Sequence, residues 1–215
     1  NSALVHHINN ALKANYGFKK DVDYLRNCGI VIYISGCKKG KGIKGGYQNN
    51  MLKFDEQKQI DSVNGALALR PEIEKVVDEI QNRGFDAIFF IGIGGTWASS
   101  MQVEVYMRGR SSIPVYVENA AEFLTTGNKR FTKDSMIFSS VTGSTSEMVK
   151  AVDKAHEIGA KVFGFIDKPE APMVKQCDWC ISYPMNEQLK FYMVANRLMY
   201  NNGEFPEYDK YNAEM

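Results

Sequence analysis

Ser135-Met-Ile-Phe-Ser-Ser-Val-Thr-Gly-Ser-Thr145 opens as an apolar run of strand length and passes directly into hydroxyl residues around a glycine. An amphipathic stretch follows from about Thr145 to Ile158 and is closed by Gly159. A continuous apolar strand feeding a helix is the sequence form of a central parallel strand, buried on both faces. The same order stands upstream. Ala87-Ile-Phe-Phe-Ile91 runs into Gly92-Ile-Gly-Gly-Thr-Trp97, and helical spacing then continues from about Thr96 to Met107.

Working outward, the pattern repeats in both directions. A helix over about Pro71 to Arg83 begins with proline and carries Ile73, Val76, Val77 and Ile80 at helical spacing. Short strands are expected at Pro114–Val117, Lys161–Ile166 and Trp179–Ser182, with a short helix near Ala120–Leu124 and a last helix over about Asn186–Tyr200. Five strands alternating with helices predict a doubly wound, flavodoxin-like α/β domain around a five-stranded parallel sheet. The expected organisation is an unassigned segment at 1–50, the α/β domain at 51–200 and a connector from 201 to 215. The first segment holds one helix-like stretch, the strand-like Ile30–Ile34 and a Gly/Lys-rich tail, Lys38–Gly46.

The 215 residues are 44% apolar and 24% charged, with 26 Lys plus Arg against 25 Asp plus Glu. Such a balance supplies no electrostatic attraction to nucleic acid or to an anionic membrane. No apolar run approaches the roughly 20 residues that span a bilayer. Four cysteines in a chain this long do not make a disulfide scaffold, and a reduced, cytoplasmic setting is expected.

In an open α/β sheet, ligands bind beyond the carboxyl ends of the strands, where both glycine- and hydroxyl-bearing loops fall. Gly94 and Gly95 allow close backbone approach, and Thr96 offers a hydroxyl and an amide at a helix start. Ser140, Val141, Thr142, Gly143, Ser144 and Thr145 form the second candidate loop, an anion cradle with no lysine in it. A helix terminus contributes only about 0.3–1 kcal/mol at an exposed site, so hydrogen bonds must supply most of the affinity. Other phosphate motifs fit poorly: Trp97 stands where a dinucleotide fingerprint needs its third glycine, and Gly36-Cys-Lys-Lys-Gly-Lys41-Gly is one residue short of a P-loop. Cys177-x-x-Cys180 has metal or redox spacing, but it straddles the entry to an apolar strand with no second Cys/His pair nearby, and packing is its expected role. His6, His7 and His156 are read as solvated, and no metal or other cofactor is expected.

At these two loops the chain resembles the sugar isomerase (SIS) domain family. The resemblance extends over about Lys53 to Tyr208, and is strongest to the first SIS domain of two-domain enzymes: fructosamine-6-phosphate deglycases and the isomerase half of glutamine–fructose-6-phosphate aminotransferase. Ile93-Gly-Gly-Thr96 matches the family's first loop, and Ser140-Val-Thr-Gly-Ser-Thr145 its phosphate loop, with Val141 where relatives carry a polar residue. What the resemblance implies is a phosphorylated sugar or fructosamine as ligand, held by residues 94–96 and 140–145. It places the proton-moving Glu and His in a second SIS domain, so that Glu187 and Lys190 are the only catalytic candidates here. It also makes 201–215 the start of a connector, and 1–50 a candidate for translated upstream sequence, since Met51 begins the matching part. The expected activity is half of a deglycase or aldose–ketose isomerase-like enzyme, the alternative being a sugar-phosphate-sensing regulatory module. A homodimer is expected, both because such pockets are completed across subunits and because the apolar last helix needs a partner.

Overall fold

The computed structural model describes residues 55–214, with Ser140 and Val141 described by their backbone alone. The expectations for residues 1–50, with His6, His7, Cys28, Cys37 and the Lys38–Gly46 tail, lie outside the described residues.

The described elements run α1 (Glu56–Ala68), α2 (Arg70–Arg83), β1 (Ala87–Gly92), α3 (Gly95–Arg108), β2 (Val115–Asn119), α4 (Ala120–Thr125), β3 (Ser135–Val141), α5 (Ser146–Ile158), β4 (Lys161–Ile166), a 3₁₀ turn (Pro172–Lys175), β5 (Trp179–Ser182), α6 (Glu187–Asn201) and α7 (Tyr208–Glu214). The five strands are all parallel, in the order β2-β1-β3-β4-β5. This is the doubly wound, flavodoxin-like order expected from the sequence.

Burial explains the sheet. All six residues of β1 are buried, and β4 is buried after its first residue, as strands covered on both faces must be. One face carries Ala87, Phe89, Ile91, Ile137, Val162 and Ile166 against α4, α5 and the 3₁₀ turn. On the other, Phe90 meets Phe138 and Phe191 at ring-centroid distances of 5.6 and 5.1 Å. Phe191 belongs to α6, whose Phe191, Val194, Ala195 and Leu198 are fully buried. The apolar last helix thus finds its partners in its own domain, against α2, α3 and the sheet, and supplies no reason for a dimer.

Three boundaries differ from the sequence reading. Residues 56–68 form a helix that hydrophobic spacing did not mark, capped by the Asp55 carboxylate, which accepts from the Lys58 N–H at 3.0 Å. β3 continues beyond Ser139 to Val141, so Ser140 and Val141 are strand residues too and the loop proper is Thr142–Thr145. Residues 208–214 form α7, whose Tyr208 Oη donates to Glu74 of α2 at 2.6 Å. No described helix is long and apolar enough to cross a membrane.

Candidate functional site

From the central pair β1 and β3 the chain winds outward in opposite directions, to β2 on one side and to β4 on the other. That switch of direction opens a crevice at the carboxyl ends of the two strands. Both candidate loops emerge there. The strands are fastened just below it: Ser139 Oγ, fully buried, donates to the Ile91 carbonyl at 2.8 Å. This hydroxyl is therefore committed to the sheet, and the ligand-facing candidates begin after it.

On the β1 side, Gly94 takes φ 57° and ψ −120° as it leads into α3, and Gly94 and Gly95 are exposed. Thr96 lies deeper, and its Oγ1 donates to Glu187 Oε2 at 2.7 Å. Thr96 is fixed in turn by its carbonyl, which accepts from the buried Ser100 Oγ at 2.8 Å. Glu187 is the first residue of α6, so the fold brings the start of the last helix to the first loop. Asn186 precedes it in a left-handed conformation and is tied by its side-chain amide to Ser62 of α1.

Lys190 lies one turn further along α6 and is buried, with 1% of its surface exposed. Its Nζ donates to the Tyr183 carbonyl at 2.6 Å and lies 5.2 Å from the Phe165 ring centre. Burial pushes its ammonium down to about 8, and the charges of Asp167 and Glu187 oppose that shift. Lys190 is thus buried, while Glu187, one turn before it, is half-exposed.

On the β3 side, Thr142 and Ser144 are exposed, with hydroxyls 3.5 Å apart. Between them Gly143 is buried at φ 80°, and its carbonyl accepts from the Met173 N–H of the 3₁₀ turn at 3.1 Å. A Cβ there would stand 2.6 Å from both Ala171 Cβ and Ile166 Cγ2, so only glycine fits. Thr145 occupies the N-cap of α5 in extended conformation but makes no capping bond with its side chain. The first turn of α5 is met instead by Glu147, whose carboxylate bonds its own N–H and accepts from Ser146 Oγ at 3.0 Å; both hold its carboxyl below the usual range. An acid already resting on the helix start marks the electropositive end that a phosphate would use.

The structure thus sets residues 94–96 and 142–145 after the carboxyl ends of the adjacent strands β1 and β3, joins Glu187 to Thr96, and buries Lys190 one turn further along α6. Sequence reading missed that Ser139 is a strand clamp and that Gly143 is backed by Ala171 and Ile166; its only signal for the latter was a glycine between hydroxyls. Among the described residues, no group of three His, Cys, Asp or Glu side chains is placed to hold a metal ion.

Comparison with known proteins bears on the same region. The family model for the SIS domain matches residues 84–199, more than half of the chain. Fructosamine deglycase FrlB of Bacillus subtilis is 26% identical over 119 residues, covering 54% of this chain and 36% of that protein. Among solved structures, the C-terminal domain of glucosamine-fructose-6-phosphate aminotransferase from Francisella tularensis superposes with a TM-score of 0.57 at 16% identity, covering 69% of this chain and 45% of that one. The NanR protein of Vibrio vulnificus, solved with ManNAc-6P, gives 0.55 at 17% identity, covering 74% and 65%. The chain spans well under half the length of its curated relative, and the two structural matches, at these identities, speak to fold. With strand order, loop positions and family model in agreement, this chain belongs to the SIS domain family.

Proposed function

We propose that this domain binds a phosphorylated sugar, with the phosphate at Thr142–Thr145 and the start of α5, and the sugar hydroxyls toward Gly94–Thr96 and Glu187. The observation that carries the reading is the pairing of two hydroxyl-bearing loops at one switch point, clamped by Ser139 to Ile91. A phosphate entering there displaces the Glu147 carboxylate from the helix start and takes up the hydroxyls on either side of Gly143. Thr96, held by Glu187, presents a hydroxyl–carboxylate pair that can accept and donate to a sugar hydroxyl.

Likeness to a fructosamine deglycase supports a fructosamine 6-phosphate as substrate of the whole protein. Release of an amine and a hexose 6-phosphate from it needs proton transfers only. In this scheme the domain supplies the binding half and Glu187 orients the sugar, while the principal acid and base lie in a second SIS domain. Thr142→Ala combined with Ser144→Ala, which removes the hydroxyls on either side of Gly143, should abolish binding of fructose 6-phosphate in calorimetry with the circular dichroism unchanged. Wild-type affinity in that double variant would rule the loop out.

A sensor is the second reading, favoured by the fold shared with NanR, which was solved with a sugar phosphate. Turnover of a fructosamine 6-phosphate by the purified protein would decide for the enzyme. Binding without turnover, together with a ligand-dependent shift of DNA mobility, would decide for the sensor.

A further inference from the structure

Cys177 and Cys180 have no part in the phosphosugar crevice, yet the fold brings them to one spot. Cys180 lies in β5 directly opposite Gly164 of β4. Directly opposed residues of neighbouring strands face the same side of the sheet, and Gly164 presents no side chain there. Cys177 fills the gap: its Sγ stands 2.6 Å from where a Gly164 Cβ would be. Both thiols consequently lie over the same side of the β4–β5 pair, beside Gly164, and each shifts the ionisation of the other.

Their surroundings divide the roles. Cys177 holds its proton, first because of the neighbouring Cys180 and then because it is partly buried. Cys180 is favoured as thiolate by its neighbour Cys177 and, against the effect of partial burial, by Ser182. Both are half-exposed, and β5 is an edge strand, so a small reagent can reach them.

We propose that Cys177 and Cys180 form a reversible intramolecular disulfide by exchange with a low-molecular-weight disulfide. The Cys180 thiolate attacks one sulfur of oxidised glutathione, forming a mixed disulfide and expelling one glutathione thiolate. Cys177 passes its proton to the released glutathione thiolate and attacks the Cys180 sulfur, expelling the second glutathione as thiolate, which takes a proton from water. The protein loses two hydrogens and two electrons, and glutathione disulfide gains them. Cys177 also ends the 3₁₀ turn, donating its N–H to Met173 O at 3.1 Å, and Met173 N–H donates to Gly143 O. The new bond therefore fastens the turn that backs the phosphate loop to the edge of the sheet.

The test uses the full chain, equilibrated over a series of reduced-to-oxidised glutathione ratios, quenched with an alkylating reagent and digested with trypsin. Residues 176–190 contain both cysteines and no Lys or Arg before Lys190, so they leave as one peptide, separate from Cys28 and Cys37. Under oxidising ratios the peptide should be two hydrogens lighter and unalkylated, and dithiothreitol should return it to the doubly alkylated form. In Cys177→Ser, Cys180 should instead retain a stable glutathione adduct, its resolving thiol being gone. Double alkylation at every ratio, or two glutathione adducts with no internal bridge, would overturn the proposal.

Discussion

Gly143 shows how far one residue fixes the crevice. Its positive φ already costs an L side chain about 1 kcal/mol or more, and a methyl there must displace Ala171 and Ile166, which are backbone-anchored neighbours with no room to turn aside. Gly143→Ala should therefore lower unfolding stability by about 3 kcal/mol, the sum of strain and overpacking, read from the urea midpoint. Gly95 is the control: a Cβ there meets nothing within 4 Å and its φ is not positive, so Gly95→Ala should unfold within about 0.5 kcal/mol of the parent. Equal loss in the two variants would contradict the packing of the β3 loop. Of these two residues only the presence of glycine beside hydroxyls was legible in the sequence. What Gly143 packs against depends on Ala171 and Ile166, which are distant in the chain, and no local pattern announces it. Ser139 teaches the same lesson, since a serine that ends an apolar run offers a hydroxyl to a ligand until a neighbouring strand's carbonyl claims it.

At the scale of elements, sequence reading worked where burial is two-sided or periodic. β1, β3, β4, α2 and α5 announced themselves by continuous apolar runs or by 3.6-residue spacing. Helix α1 did not, because it buries only Ser62 and Ala66 and leaves Ile60 exposed; its place is fixed by the Ser62 carbonyl, which accepts from Tyr183 Oη at 2.9 Å. α6 was legible as an apolar helix, but its spacing could not say that Lys190 points inward. That burial has a thermodynamic consequence. Lys190 titrates at about 8 in the folded protein against 10.5 when unfolded, so between these values the unfolded chain binds more protons than the folded one. Stability should accordingly rise with pH across this window, by up to about 3 kcal/mol. Both states are charged below it and neutral above it, so no dependence arises outside it. In Lys190→Met this contribution is absent, and the difference between the two denaturation-derived stability curves should climb from pH 8 and level off above pH 10.5. A flat difference would mean that the ammonium is solvated in the folded state.

Across the whole molecule, the last turns of α6 and the residues after it close the described domain on itself. Arg197 pairs with Asp78 of α2 through two bonds of 2.8 and 2.7 Å, and Asn201 adds a third to the same carboxylate. That arrangement was not legible, because each partner lies more than a hundred residues from the other. Glu204, just past α6, reaches the loop between α3 and β2: it accepts from Ser111 Oγ at 2.5 Å, and from Ser112 N–H and Oγ at 2.8 and 2.7 Å. Burial alone would raise its carboxyl, but these donors outweigh it and hold it at about 2, and the Arg197 bond likewise lowers Asp78. A carboxylate depressed on folding stabilises the protein above its unfolded value, near 4.5, and loses that contribution as pH falls toward 2. Because Glu204 is partly solvated, its share should be about 1 kcal/mol after screening. Glu204→Gln should melt below the wild type at pH 7, where the carboxylate is fully engaged, and the gap should narrow as pH drops through 4 to 3 in thermal melts at constant salt. A gap that stays constant to pH 3 would assign the stabilisation to the shape of the side chain rather than its charge, and would leave the clamp on Ser111 and Ser112 without an electrostatic part.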